Sequence, residues 1–195
     1  MKTAQNPTQL FAKWFQIAKR KRCIVHVNAA ALATANGRGR PSNRIVLIKA
    51  FGPKGFIFYT NYQSHKALDL SENPFAALCF HWEVLDLQVR IEGRVKKVPR
   101  AVSEKYFSSR PRGSQIGAWV SQQSCKLKSR QELEAKVREI EKRFQGIDIP
   151  IPEFWGGYLL EPNYFEFWKL GENRLHDRLT FTKKAKGWKK NRLWP

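Results

Sequence analysis

Residues 44–62 read RIVLIKAFGPKGFIFYTNY. Two runs rich in Ile, Val and Phe flank Gly-Pro-Lys-Gly at 52–55, a combination that predicts two short strands joined by a turn. The pattern extends both ways. CIVHVNAAALATA (23–35) precedes it across the turn dipeptide Asn36-Gly37, and FAALCFHW (75–82) and LDLQVRIEGRVKKV (85–98) follow. In between, Ser64 is placed to cap a short helix through HKALDLSE (65–72), which Asn73-Pro74 would end. These segments read as a meander of antiparallel strands with one small helical insertion.

Helical periodicity surrounds this meander. In PTQLFAKWFQIAKR (7–20), Leu10, Phe11, Trp14 and Ala18 fall on one stripe, with Thr8 as cap. PRAVSEKYFSSRP (99–111) and SRQELEAKVREIEKRFQG (129–146) predict two helices in the middle of the chain. In the second, Ser129 and Glu132 form a capping box, Leu133, Val137, Ile140 and Phe144 make the apolar stripe, and Gly146 closes it. After the connector DIPIPEFWGG, strand patterns return in YLLEPNYFEFWKL (158–170) and RLTFTKKAKGWKKNRLW (178–194). The order strands, helices, strands predicts one mainly β domain spanning 1–195, an antiparallel barrel with helices packed outside.

The chain holds 36 basic and 16 acidic residues, a formal charge of +20. Such a field attracts nucleic acid, acidic membrane or phosphorylated small molecules. A hydrophobic fraction of 42% excludes a disordered chain. Cys23, Cys79 and Cys125 lie far apart with no CxxC, which favours a reduced, cytoplasmic setting over a disulfide framework. No run approaches the roughly 18 apolar residues of a membrane span, and no apolar signal core opens the chain, so a soluble, unexported protein is expected.

Metal and hydrolytic chemistry find no support: His26, His65, His81 and His176 have no ligand spacing, and no GxSxG, Walker loop or GxGxxG occurs. What remains is a set of donors set among apolar residues. Arg44 and Lys49 bracket four aliphatics, and strand alternation puts 44, 46 and 48 on one face and 45, 47 and 49 on the other. Lys66 opens a short helix, whose N-terminal amides favour an anion, and Gln88 lies inside a strand pattern. Arg174, His176 and Arg178 alternate, so a strand through them would aim all three one way, with Asp177 opposite. The stretch SSRPRGSQIGAWVSQQS (108–124) carries two arginines, five serines and three glutamines and no acid. Taken singly, each of these is also compatible with a solvated surface or a satisfied cross-strand bond. Together they suit a phosphorylated ligand, with arginine adding bidentate geometry, and they offer no carboxylate pair for acid–base work.

The strings RIVLIK, FYTNYQSHKA, YFSSRPRGSQIGAWVSQQS, FWGG and FEFWKLGENRLHDR stand in an order and spacing that resemble the pyridoxine/pyridoxamine 5′-phosphate oxidase family, from about residue 8 to the C-terminus. The resemblance implies a homodimeric FMN-binding split β-barrel, antiparallel and Greek-key-like with helices outside. Its implied reaction oxidises pyridoxine or pyridoxamine 5′-phosphate to pyridoxal 5′-phosphate with O2, releasing H2O2, with hydride passing from the substrate C4′ to the flavin. The implied FMN contacts are Arg44, Ile45, Val46, Leu47, Ile48, Lys49, Tyr59, Thr60, His65, Lys66, Gln88, Gln123, Ser124, Trp168 and Arg178. Substrate phosphate would fall to Lys49, Tyr106, Arg110 and Ser114, and the catalytic Arg174 and His176 would lie over the pyridine ring. The cofactor would sit between subunits. Residues 108–124 then read as a two-part loop, Arg110 and Ser114 for substrate and Gln123 and Ser124 for FMN, with Arg112 solvated.

The chain departs from the family pattern at His65, where arginine is usual, in a short N-terminal arm, and in the basic tail KKAKGWKKNR. Two rival functions remain open on sequence alone. A flavin-binding relative without oxidase activity would bind FMN without turnover, although the complete substrate row speaks against it. A basic nucleic-acid binder would expose aromatics among its cations, whereas here they lie within strand patterns; no specific nucleic acid and no membrane partner is expected.

Overall fold

The computed structural model describes residues 5–195. In chain order the elements are α1 (Pro7–Lys19), β1 (Ala29–Ala35), β2 (Pro41–Leu47), β3 (Ala50–Gly52), β4 (Gly55–Asn61), α2 (His65–Glu72), β5 (Phe75–Trp82), β6 (Leu87–Lys97), α3 (Arg100–Ser108), α4 (Arg112–Val120), α5 (Arg130–Arg143), β7 (Trp155–Lys169), β8 (Asp177–Lys183) and β9 (Trp188–Leu193). All strand pairings are antiparallel and run β2-β1-β5-β6-β7-β4-β3, with β8 also on β7 and β9 on β8.

The long strand β7 explains why the barrel is split. One edge pairs with β6. Its other edge is divided, residues 155–160 pairing with β4 and 164–169 with β8. Pro162, which has no N–H to donate, sits in the gap between the two partners. A register shift there pairs Tyr164 with Glu92 and Pro162 with Gly93, leaving Asn163 opposite no residue, a bulge that bends the strand.

Two apolar clusters follow from this division. The larger fills the barrel and is plugged by α1, whose Phe11 is fully buried with ring centroids 4.9 Å from each of Phe51, Phe56 and Phe80. The smaller holds α3, α4 and α5 against the start of β7 through Phe107, Ile116, Val120, Ile140, Phe144 and Trp155.

Several local expectations change. The cap of α1 is Asn6, whose Oδ1 accepts from Thr8 and Gln9 N–H, so Thr8 is inside the first turn. Residues 23–28 form turns, and the first strand begins only at Ala29. The middle of the chain holds three helices: residues 112–120 form α4, where a loop was expected, with Pro111 at its N-cap. Arg112 is exposed, as expected, but its side chain is not free. Its guanidinium donates to the carbonyls of Ile147 (3.0 Å) and Phe144, tying the start of α4 to the end of α5. The strand reading of 174–178 also fails: Glu172–Arg174 is a single 3-10 turn, Asn173 and Arg174 have positive φ (53° and 63°), and β8 starts at Asp177.

A Cβ on Gly93 would lie 2.1 Å from the Glu161 carbonyl oxygen, which is backbone and cannot step aside cheaply. Gly93→Ala is expected to cost about 1–3 kcal/mol, read as a lower urea midpoint with an unchanged slope.

Candidate active site

The end of β2, strand β4 and helices α2, α3 and α4 enclose a cavity of about 640 Å³. Ile45, Val46, Leu47 and Lys49 form one wall, Tyr59, Thr60 and Lys66 the floor, and Tyr106, Arg110, Ser114 and Gln123 the far side. Three cations line it and no Asp or Glu does.

Lys66 stands at the second position of α2 and is 8% exposed. Its ammonium donates to Thr60 Oγ1 (3.1 Å), Ser64 Oγ (3.2 Å) and Gln123 Oε1 (3.1 Å), three neutral oxygens. Burial first, and the Arg44 charge second, push its pKa down to about 8. Ser64 has the N-cap backbone conformation, yet its hydroxyl donates back to the Asn61 carbonyl instead of capping an N–H.

Arg44 lies beside the cavity, not on its lining. It donates to Thr34 Oγ1 (2.6 Å) and Ser42 Oγ (2.5 Å), and Asp69 Oδ2 is 3.8 Å away. Buried Asp69 also accepts from Thr34 Oγ1 at 2.6 Å. Burial lowers the Arg44 pKa and Asp69 works against that shift. His65 faces the same carboxylate at 3.6 Å and Ser42 Oγ at 3.5 Å. Its side chain is largely exposed and does not reach the lining. Ile48 turns into the core, and its N–H and C=O are both bonded to Asn28.

The other end of the cavity is aromatic. Tyr59 stacks on Tyr106 (centroids 3.9 Å, 16° between planes) and on Trp155 (5.4 Å, 9°), and the Arg110 guanidinium lies 4.7 Å from the Trp155 ring centroid. Gly157 makes room for the stack, since a Cβ there would meet Tyr59 at 2.8 Å. Among the described residues, one buried side-chain polar atom has no hydrogen-bond partner: Arg110 Nη1. A buried, unpaired guanidinium N–H is costly unless an acceptor arrives. Burial lowers the Arg110 pKa, with Tyr106 opposing.

The remaining candidates lie elsewhere. Gln88, Trp168 and Arg178 are directly opposed across β6, β7 and β8 and form one row on a single sheet face. The His176 ring sits 4.6 Å from that of Trp168, and Arg174 is exposed on the adjoining turn. Ser124, at φ 74°, lines a second cavity of about 600 Å³ between residues 120–127 and α5, with Gln123 bordering both cavities. Trp155 and Trp168 stand near opposite ends of β7, and none of Gln88, Trp168, Arg174, His176 and Arg178 lines the first cavity. Sequence reasoning missed Trp155, Asn61 and Ser121 on the lining, and two buried acids, Asp69 beside Arg44 and Glu166 beside Arg178. Trp155 was visible in FWGG. The acids are isolated carboxylates inside apolar strings, which is their one signal.

Fold and cavity define a split-barrel protein with a cleft lined by three cations and no carboxylate. Residues 18–144 match the family model described as pyridoxamine 5′-phosphate oxidase, and residues 155–195 match that of the pyridoxine 5′-phosphate oxidase C-terminal dimerisation region. A pyridoxine/pyridoxamine 5′-phosphate oxidase of Anaeromyxobacter dehalogenans is 54% identical over 167 residues, covering 86% of this chain and 84% of its own. One of Rubrobacter xylanophilus is 47% identical over 190 residues, covering 97% and 87%. Among solved structures, PhzG of Burkholderia lata 383, in complex with tetrahydrophenazine-1-carboxylic acid, superposes with TM-score 0.92 at 30% identity, covering 99% of this chain and 94% of that one. A pyridoxamine 5′-phosphate oxidase-related, FMN-binding protein of Nostoc punctiforme gives TM-score 0.77 at 16% identity over 99% and 100% of the chains, a likeness of fold. The chain belongs to the pyridoxine/pyridoxamine 5′-phosphate oxidase family of flavin-dependent oxidoreductases.

Lys66 is charged below its pKa of about 8. Affinity for inorganic phosphate, measured by calorimetry, is expected to fall as pH rises through about 8, and Lys66→Met removes that step. Stability of the unliganded fold has the opposite sign. A lysine whose folded pKa lies below its ordinary 10.5 favours the folded state more as pH rises from 8 toward 10.5.

Proposed function

We propose that this chain oxidises pyridoxine or pyridoxamine 5′-phosphate to pyridoxal 5′-phosphate, using FMN as cofactor and O2 as acceptor with release of H2O2. It acts as a homodimer whose two sites lie between subunits. The observation that carries this reading is the carboxylate-free cavity lined by Lys49, Lys66 and Arg110, in a chain 54% identical to an oxidase of that name. The free thiols Cys23 and Cys125 at the surface suit a reducing, cytoplasmic setting. Among the described residues, no helix is long and apolar enough to cross a membrane.

The residues fit FMN. Gln123 Oε1 accepts from both Thr60 Oγ1 and Lys66, and a phosphate oxygen would take its place as their common acceptor, with Arg44 adding charge from behind. Edge strand β2 pairs only with β1; alternation turns the backbone groups of Ile45 and Leu47 to its open edge, free to meet a flavin ring edge, while those of Val46 face β1. When bound, FMN supplies the redox chemistry, accepting two electrons from the substrate carbon and passing them to oxygen.

Arg110 brings its unpaired Nη1 to the substrate phosphate, together with Ser114, Lys49 and the Tyr106 hydroxyl. The Tyr59–Tyr106–Trp155 stack excludes water from that end. Gln88, Trp168, Arg178, His176 and Arg174 come from the second copy: they lie toward the far end of β7, and none of them lines their own chain's cavity. Arg174 holds the pyridine ring in register, and His176, tilted against Trp168, is placed to hold or exchange a proton there. Ser124 lines the neighbouring cavity next to Gln123, and His65, in the position where arginine is usual, lies outside the lining against Asp69.

A visible spectrum taken with FMN, before and after anaerobic pyridoxine 5′-phosphate, tests this. Bleaching of a bound flavin that air reverses is the expected result. A bound flavin that stays oxidised means a silent relative, and no flavin binding sinks the assignment. Arg110→Ala is expected to raise KM for pyridoxine 5′-phosphate about 10- to 100-fold with FMN retained, the worth of a charged hydrogen bond of about 1.5–3 kcal/mol.

A further inference from the structure

Glu166 lies near the C-terminal end of β7 and is 2% exposed. It occupies the same sheet face as Trp168, two residues on, and faces Arg90 of β6 and Thr180 of β8 across the ladder. Its two oxygens are shared out. Oε1 accepts from Arg178 Nε at 2.8 Å, and Oε2 accepts from Arg90 Nη1 at 3.1 Å. Arg90 is completed by Glu92 at 2.7 Å. Arg178 has a second acceptor of a different kind: its Nη1 donates to the carbonyl oxygen of Trp194, the penultimate residue, at 3.0 Å. The guanidinium is thus gripped through Nε and Nη1, and its Nη2 takes part in neither bond.

A buried carboxylate between two arginines is a poor device for stability, since apolar residues of similar volume often serve as well. It is a good device for direction, because a guanidinium held through two of its nitrogens can present the third along one line only. The bond to Glu166 also raises the Arg178 pKa above its already high ordinary value. The C-terminal residues contribute a backbone acceptor that no side-chain pattern in the sequence announces.

We propose that Glu166 and the Trp194 carbonyl are positioning groups that together aim Arg178 at the FMN held by the partner copy, so that the end of the chain serves the cofactor site. This rests on the function proposed above. Arg90 and Glu92 balance the second Glu166 oxygen and the extra charge.

FMN dissociation constants, read from quenching of flavin fluorescence, test it in a double-mutant cycle. Glu166→Gln keeps the shape and removes the charge, and is expected to weaken FMN binding about 10-fold. Arg178→Met is expected to weaken it at least as much, and the double variant no further than Arg178→Met alone. Glu166→Asp, which keeps the charge, recovers affinity to within a few-fold of wild type. Deleting Trp194 and Pro195 leaves the core untouched and weakens FMN binding in the wild-type background but not in Arg178→Met, so the test survives even where Glu166→Gln fails to fold. Effects of Glu166→Gln and Arg178→Met that multiply in the double variant overturn the inference, as does a lower melting temperature with unchanged FMN affinity. A wild-type protein that binds no FMN overturns the functional reading itself, and this inference with it.

Discussion

The divided edge of β7 is the constraint on which the rest of the molecule depends. One strand of 15 residues serves β6 on one side and two separate partners on the other. Its first residues carry Trp155 and the Gly156-Gly157 pair against Tyr59, Tyr62 and Ser103, and its last carry Glu166 and Trp168 against Gln88 and Arg178. A slip of one residue would turn every one of these side chains to the opposite face. The bulge at Asn163 and the missing N–H of Pro162 occur where neither β4 nor β8 needs a partner, so the break in pairing falls where it disturbs the ladder least.

The two ends share a plan. In each, a buried carboxylate sits behind an arginine and not in front of it: Asp69 beside Arg44 and Thr34, Glu166 beside Arg178 and Arg90. Acid behind and open space ahead leaves the cation charged and directed. At the cavity itself the neighbours of Lys66 are hydroxyls and an amide, so its charge is solvated without being neutralised. That is the arrangement an incoming phosphate can exploit, because it meets preoriented donors and displaces only neutral acceptors.

Much of the fold was legible because it rests on local periodicity. The strands from Phe75 to Lys97, the short helix at 65–72 and the capped helix α5 follow from alternation, Asn-Pro punctuation and a Ser-Glu cap. Helix α4 was not legible as a helix. Its nine residues include Gly113 and Gly117 and begin just after Pro111, so propensity points to a loop; packing of Ile116, Ala118 and Val120 against α5 overrides it. The Arg-His-Arg alternation at 174–178 misled for the opposite reason. A period of two is a strand signal only if the backbone is extended, and Asn173 and Arg174 take left-handed conformations that break it. Of the candidate site, the cations and their neighbours in sequence were readable. The acids behind them, and the backbone carbonyl of Trp194, depend on cross-strand register and were not.

The central claim is that the cavity of one copy and the Gln88–Trp168–Arg178 row of the other build one flavin site. Lys66→Met in the cavity and Arg178→Met in the row can be unfolded together, refolded as a mixture and assayed for oxidation of pyridoxine 5′-phosphate at an FMN concentration that leaves each variant alone largely empty. With random pairing of equal amounts, half the dimers are mixed and each carries one intact site, so activity is expected to return to about a quarter of wild type. Activity that stays at the level of the separate variants, with mixed dimers demonstrably formed, would contradict a shared site.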